Sequence, residues 1–321
     1  MAEKARERET FASGQALQIL DEVRKEVVGK DLAILKVLMV IVSKGHILLE
    51  DMPGAGKTTL ALAFSRALDL GYKRVQFNPD VMPTDITGFS VYNRERGLLE
   101  YKPGAVLCNL FLADEINRAS SRTQAALLEA MEEGSVTVDG ATHVIPQPFT
   151  VIATQNPTGS SGTQLLPDSQ MDRFMVRFSL GYPEPKDELE MLRRKHGQSA
   201  GEQAHQVADH SDILRMQREV EQVYVSDDIY DYIIRLVTAT RCHPLIAQGG
   251  SPRASIAVTR LAQAAAWLNG RDYVVPHDVK LLFQDAVGHR LLLSTQAKLD
   301  GVTAARLLDD IVQQTPPPRM R

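Results

Sequence analysis

Cysteine is scarce in this sequence. Cys108 and Cys242 are the only two, far apart and in no CxxC spacing, which argues against a structural zinc site and a disulfide framework and fits a reducing cytoplasm. Basic excess is missing as well: 36 Lys and Arg face 40 Asp and Glu, a formal net charge of -4. A nucleic-acid partner normally demands a basic face, so this balance argues mildly against one, although a local basic patch can hide inside an acidic total. Nor is there a long apolar run. The most apolar stretch, residues 34–49, is broken by Lys36, Lys44 and His46, and the first ten residues, MAEKARERET, are charged throughout. Neither a membrane span nor a signal peptide is expected. What is there, 44% hydrophobic and 24% charged residues over a length of 321, is the balance of a soluble globular protein long enough for two packed domains.

Leu17, Leu20, Val23, Val27 and Val28 recur at helical spacing, and Gly29 interrupts before a second helical run over 31–42. A short buried strand over 47–50 leads into a glycine-rich turn and a helix over 57–68. Further strand-like runs lie at 72–77, 110–113, 151–154 and 175–180. Strands alternating with helices predict an α/β domain, a parallel sheet covered on both faces. After Gly181 every periodic segment is helical, so a second, all-helical domain is expected. Residues 196–210, rich in Gly, Gln, Ala and His, read as a loop or linker. Ser226 followed by two aspartates is a helix start for 227–241. Pro252 and Pro276 are placed to open the next two helices, and the tail TPPPRMR reads as extended or disordered.

Asp51-Met52-Pro53-Gly54-Ala55-Gly56-Lys57-Thr58 lies between a predicted strand and a predicted helix, the context that a phosphate-binding P-loop requires. Gly54 and Gly56 let the backbone turn its N–H groups inward around phosphate oxygens, and the helix N-terminus behind them adds a favourable dipole. Lys57 is expected to reach the β- and γ-phosphates of ATP and Thr58 to ligate Mg²⁺, with Pro53, Ala55 and Thr59 completing the nucleotide contacts. One residue departs from GxxxxGK[ST]: the first glycine is Asp51. That leaves the start of the loop open, not the cradle. A plain surface Gly-Lys turn is the alternative, and the flanking strand and helix disfavour it.

Residues 109–115, NLFLADE, form an apolar strand ending in two acids, the Walker B arrangement. Asp114 would hold Mg²⁺ through water and Glu115 would polarise the attacking water. Alone, such a pair could be a solvated turn; downstream of a P-loop that reading recedes. Residues 151–156, VIATQN, are another buried strand, and Asn156 at its end is placed to hydrogen-bond the γ-phosphate or to orient water, while Asn-Pro is also a turn signal.

Taken in order, Val27-Val28-Gly29-Lys30, LLEDMPGAGKT (48–58), FNPDVMPTDITG (77–88), LADEINRAS (112–120), ATQNP (153–157), LPDSQMDRF (166–174) and SPRAS (251–255) resemble the MoxR branch of AAA+ ATPases. The resemblance runs from about residue 27 to the last helices. It implies a three-layer αβα core over 1–182 with a five-stranded parallel sheet in the order 5-1-4-3-2. A connecting helix and linker over 183–210, an all-α lid over 211–314 and a tail over 315–321 would follow. It implies that Arg173 touches the γ-phosphate held by the next subunit, stabilising charge on the transferred phosphoryl, so that hydrolysis needs a ring, expected to be a homo-hexamer. An ion pair of Arg173 with Asp168 or Asp172 is the structural alternative. Arg253 matches the sensor 2 arginine, which would bridge the lid to bound nucleotide and let the lid rotate when the γ-phosphate is lost; a solvated helix-start arginine is the plain reading. Val27, Val28 and Gly29 match the segment around adenine. An insert at about 88–104 and a hairpin at about 135–146, the latter visible as alternation around Asp139-Gly140, match the two hairpins of the group, expected to face the central channel or one face of the ring.

The function implied is that of a Mg-ATPase chaperone that remodels or activates a partner protein, with a von Willebrand factor A (VWA) domain protein and metal or cofactor insertion as the family's associations. Two other classes compete. A nucleotide-gated scaffold is disfavoured by intact Lys57, Asp114, Glu115, Asn156 and Arg173. A nucleic-acid motor requires basic or aromatic hairpin tips, and only Arg94, Arg96 and Lys102, beside Glu95 and Glu100, offer that.

Overall fold

Short runs rich in Ile, Leu, Val, Phe and Ala, together with the more polar edge segment Tyr72–Gln76, form the five strands of a parallel sheet: β1 (Ile47–Glu50), β2 (Tyr72–Gln76), β3 (Leu110–Asp114), β4 (Thr150–Gln155) and β5 (Val176–Phe178). The computed structural model describes residues 2–51, 54–156, 166–195 and 203–319. β3 and β4 are buried along their whole length, as interior strands covered on both faces must be, whereas β2 at the edge is mostly half-buried or exposed. The order is β2-β3-β4-β1-β5, which from the other edge is the expected 5-1-4-3-2. Because β1 aligns Ile47 with Ile152 and with Val176, and β3 aligns Leu110 with Thr150, the carboxyl ends of β1, β3 and β4 lie along one edge. The P-loop, the paired acids and Asn156 therefore share that edge, where open α/β sheets place their ligands.

Helices Ala2–Glu26, Asp31–Val42, Lys57–Ala67 and Ser121–Glu133 accompany the sheet. Asp31–Val42 has eight of its twelve residues buried, more than one amphipathic face can supply. The lid explains this, since its helices His210–Glu221 and Pro252–Leu268 pack on this helix and one apolar core runs through helix, sheet and lid. Lys36 pairs with Asp285 at 2.6 Å, Gln217 Nε2 donates to the Ile41 carbonyl at 2.9 Å, and Ser43 Oγ donates to the Arg260 carbonyl at 3.3 Å.

The lid is helical, with Asp227–Cys242 capped by Ser226, Pro252–Leu268 and Pro276–Leu281 opening on their prolines, and Ala304–Gln314 near the end. It is not free of strand, as the sequence had suggested: Ile246–Gln248 and Leu292–Leu293 form a small antiparallel pair. Segments of two and three residues carry no detectable alternation, and the pairing arises only because the fold brings them together. Among the described residues no helix is long and apolar enough to cross a membrane.

Two hairpins project from the core. The insert pairs Gly88–Asn93 with Leu98–Pro103, and the second pairs Ser135–Val138 with Ala141–Val144. The second turns on Asp139 and Gly140, both left-handed at φ 49° and 81°, the geometry for which Asp-Gly is suited. The Tyr101 ring of the first stacks on the His143 ring of the second, centroids 3.6 Å apart and planes 10° from parallel.

Candidate active site

Gly54 and Gly56 adopt φ of 89° and 86°, which only glycine reaches without strain, and a Cβ at either would meet open space. The helix Lys57–Ala67 starts immediately after them, and the unpaired N–H groups of a helix's first turn suit an anion. Lys57 Nζ donates to the Asp51 carbonyl at 3.0 Å. Ala55 and Thr58 are half-buried and Thr59 is exposed. Pro53 lies outside the described residues.

Asp51 resolves the departure from the usual first glycine. No left-handed backbone occurs at this position, so glycine is not required there. Its buried carboxylate accepts from Ser179 Oγ at 2.5 Å and from the backbone N–H of Leu180 and Gly181 at 2.7 and 3.1 Å. Lys30 holds the same turn from its carbonyl side, its Nζ donating to Leu180, Gly181 and Tyr182 at 2.8, 3.0 and 2.8 Å. The phosphate loop and the Val27-Val28-Gly29 turn are thus fixed to one segment after β5. Val27 is buried and Val28 half-buried, while Gly29 is left-handed with Asp187 so close that a Cβ would lie 2.1 Å from its Oδ2.

Asp114 and Glu115 are set by Thr154, which sequence reasoning missed. Thr154 Oγ1 donates to Asp114 Oδ1 at 2.7 Å and accepts the Glu115 N–H at 2.8 Å. That second bond supports Glu115 in a left-handed conformation at φ 56°, costly for a side chain with a Cβ and typical of functional positions. The available signal was position: Ala113 pairs with Ala153, so the next residues on each strand are neighbours. Arg74 occupies Asp114 Oδ2 at 2.7 Å, and Glu115 pairs with Arg118 at 2.8 Å. Asn156 follows the end of β4, and its carbonyl accepts from Asn117 Nδ2 at 3.4 Å.

Thr58 and Asp114 present hard oxygens suited to magnesium. Each carboxylate oxygen of Asp114 accepts one bond here and has capacity for another from water. Among the described residues no group of three His, Cys, Asp or Glu could hold a metal ion. The donor set thus fits an ion carried in on phosphate oxygens, not a protein cage.

Arg173 and Arg253 are elsewhere. Arg173 precedes β5, and the Met175 N–H donates to the His46 carbonyl at 2.8 Å, at the amino end of β1. The P-loop leaves the other end, four residues or roughly 13 Å of strand away. Arg173 Nε lies 3.2 Å from Glu132 Oε2, not beside Asp168 or Asp172, and Arg253 Nη2 bonds the other oxygen of Glu132. The structure thus places both arginines at the edge opposite their own phosphate loop. They line a cleft of about 280 Å³ with Lys44, His46, Glu132 and Arg260.

Asp172 is taken by the lid. Arg290 Nε donates to its Oδ1 at 2.6 Å and Ser251 Oγ to both oxygens at 3.1 and 3.0 Å. The other N–H groups of the buried Arg290 reach the carbonyls of Asp172, Phe174, Met175 and Ala286, and His289 Nε2 meets the Phe174 carbonyl at 3.0 Å. Burial pushes the Arg290 guanidinium below its usual pKa, Asp172 opposes this, and the nearby Arg253 charge adds to it. No local pattern announced Arg290, because its partners in the core, Asp172, Phe174 and Met175, lie more than a hundred positions away.

Comparison with known proteins agrees with this geometry. Residues 46–176 match the ATPase family associated with various cellular activities (AAA), and residues 238–311 match the AAA lid domain. The chain is 44% identical over 303 residues to the uncharacterized protein YeaC of Bacillus subtilis, covering 94% of each. It is 38% identical to Chaperone MoxR1 of Mycobacterium tuberculosis, covering 93% of this chain and 81% of that one. The crystal structure of a putative ATPase from Cytophaga hutchinsonii superposes with a TM-score of 0.93 at 36% identity, covering 99% of each chain. Sheet order, phosphate loop, paired acids, helical lid and relatives agree: this chain is a member of the MoxR family of AAA+ ATPases.

Proposed function

We propose that the protein is a ring-forming Mg-ATPase of the cytoplasm that cleaves ATP at the seam between protomers and uses the cycle to remodel a partner protein. The observation that carries this reading is the position of Arg173. A guanidinium at the amino end of the sheet cannot serve a phosphate loop at the carboxyl end of the same sheet, but it can serve the loop of the next copy in a closed, head-to-tail ring. Arg253, bound to the same carboxylate, would act across the same seam, not on its own nucleotide. The lid, anchored by Arg290 and by the Lys36–Asp285 pair, would then pass one protomer's state to its neighbour.

Within each site the P-loop amides and Lys57 bind the phosphates. Thr58, and Asp114 through water, would hold magnesium, which when bound neutralises charge on the β- and γ-phosphates. Glu115 orients the attacking water and draws its proton, leaving Arg118 to do so, while Asn156 bonds the γ-phosphate or that water. Val27, Val28 and Gly29 would line the adenine. Arg173 of the adjoining copy stabilises charge on the transferred phosphoryl, an effect worth about 10³ to 10⁵ in rate.

A protein client is favoured over nucleic acid by the insert hairpin. Its Arg96 and Lys102 both pair with Glu100, while Phe89, Val91, Tyr92, Leu98 and Leu99 are exposed; apolar side chains suit a protein surface better than a phosphate track. The name of MoxR1 supports a chaperone role, and the family resemblance supports a VWA-domain partner and a hexamer. ATP turnover by Glu115→Gln tests the reading: the variant should bind ATP and assemble, yet hydrolyse at least about 100-fold more slowly. Near-normal turnover would remove Glu115 from its role. Capture of partners on this ATP-trapped variant tests the client class.

A further inference from the structure

We infer that Glu132 is a positioning residue for hydrolysis: one carboxylate fixes Arg173 and Arg253 side by side, so that both reach a neighbouring protomer's triphosphate as one unit. The inference rests on the proposal that the two arginines act across the seam.

Three separate elements meet at this point. Glu132 lies in the last turn of the helix Ser121–Glu133, which starts near the catalytic acids and ends at the opposite edge of the sheet, where the Met131 carbonyl meets His46. Arg173 comes from the turn before β5, and Arg253 from the first turn of the lid helix Pro252–Leu268. Each oxygen of Glu132 takes one guanidinium, Oε2 toward Arg173 Nε and Oε1 toward Arg253 Nη2. The other acid of the cleft, Asp172, is engaged by Arg290 and Ser251, so Glu132 is the carboxylate there that answers both cations.

The way the bonds are shared matters. Arg173 meets Glu132 through Nε, so both of its Nη groups remain able to form the two-pronged contact that guanidinium makes with phosphate. Arg253 keeps Nε and Nη1. The two side chains are 29% and 46% exposed, open enough to meet another molecule. Two guanidiniums this close repel one another, and a carboxylate between them offsets that repulsion while leaving the trio net positive. Such a trio attracts a triphosphate with its donors already aligned, so little reorganisation is needed when charge develops. An ordinary surface ion pair would join one acid to one base. This one ties the arginine of the core to the arginine of the lid.

Single-turnover and steady-state ATP cleavage by the full-length chain with Mg-ATP tests this, comparing wild type with Glu132→Gln, Glu132→Asp, Arg173→Ala and the double variant Glu132→Gln/Arg173→Ala. Glu132→Gln should lower kcat about tenfold and leave KM for ATP within about twofold, because each chain's own phosphate loop is untouched. Its melting temperature should stay within about 3 °C of wild type. Glu132→Asp, which keeps the charge, should fall between the two. The double variant should lose less than the product of the two single losses, because without Arg173 only the alignment of Arg253 is left to lose, a result that a merely structural role would not give. Wild-type or faster turnover by Glu132→Gln overturns the inference, as does a loss that multiplies with that of Arg173→Ala. Failure of the underlying seam proposal looks different: Arg173→Ala itself would then keep its turnover.

Discussion

Asp51 accepts the backbone N–H of Leu180 at 2.7 Å, which binds the first residue of the phosphate loop to the turn that follows the edge strand. With Ser179 and Gly181, three donors converge on one buried carboxylate. Removing it orphans them in a nearly dry site. Asp51→Ala is expected to lower the free energy of unfolding by about 2–4 kcal/mol and to weaken binding of a non-hydrolysable ATP analogue. Asp51→Asn, which keeps one acceptor, should lose about half as much. Urea denaturation and nucleotide titration read the two effects.

Thr154 makes a sharper test of catalytic geometry. Thr154→Val keeps the shape but leaves the Glu115 N–H and Asp114 Oδ1 without their bonds. A kcat reduced about tenfold or more, with KM changed less than about twofold, is expected. Thr154→Ser should restore most of the loss. A kcat equal to wild type in the valine variant would show that the hydroxyl does not set the acids.

Arg290 secures the arginine-bearing turn to the lid, and every one of its nitrogens is bonded. Arg290→Met leaves Asp172 with Ser251 but no cation and takes donors from several buried carbonyls, so a destabilisation of about 3–5 kcal/mol is expected in urea. Arg290→Lys, with fewer and differently directed donors, should recover only part of it.

Stability should fall with acid below the ordinary histidine range, and His46 is one cause. Its Nε2–H donates to the Met131 carbonyl at 3.1 Å and its Nδ1 accepts the Val151 N–H at 3.0 Å. Burial pushes the imidazole down to about 4, and a proton on Nδ1 would also set two donors against each other. Above about pH 6.5 the ring is neutral in both folded and unfolded chains, so nothing is lost. Between about 6.5 and about 4 the unfolded chain takes the proton and the folded one does not, costing up to about 1.4 kcal/mol per pH unit. The urea midpoint should drop across this window, and His46→Asn should flatten that part of the profile.

The sheet was legible in the sequence because its interior strands are short apolar runs between turn residues, and strand, paired glycines and helix in succession identified the phosphate loop. The 31–42 helix was legible as a second helical run after Gly29. What covers it was not legible: Lys36 finds its partner at Asp285, far beyond any local periodicity. The same limit hid the role of Asp51, whose donors lie 128 to 130 positions away. It also hid the intramolecular partner of Arg173: the structural alternative named the adjacent Asp168 or Asp172, whereas the packing of a distant helix end supplies Glu132. Arg253 could be matched by motif, but the side of the sheet on which the lid rests is a tertiary fact.

Mixing two inactive variants tests cleavage between protomers most directly. Lys57→Ala should lack a working phosphate loop yet keep Arg173, and Arg173→Ala should have the reverse defect, each slower than wild type by about 10³-fold or more. Co-assembled in equal amounts, about a quarter of the seams join an intact loop to an intact arginine by random arrangement, so turnover should recover to about that fraction of wild type. Turnover of the mixture no greater than the sum of its separate components, or full turnover by Arg173→Ala alone, would contradict hydrolysis across the seam.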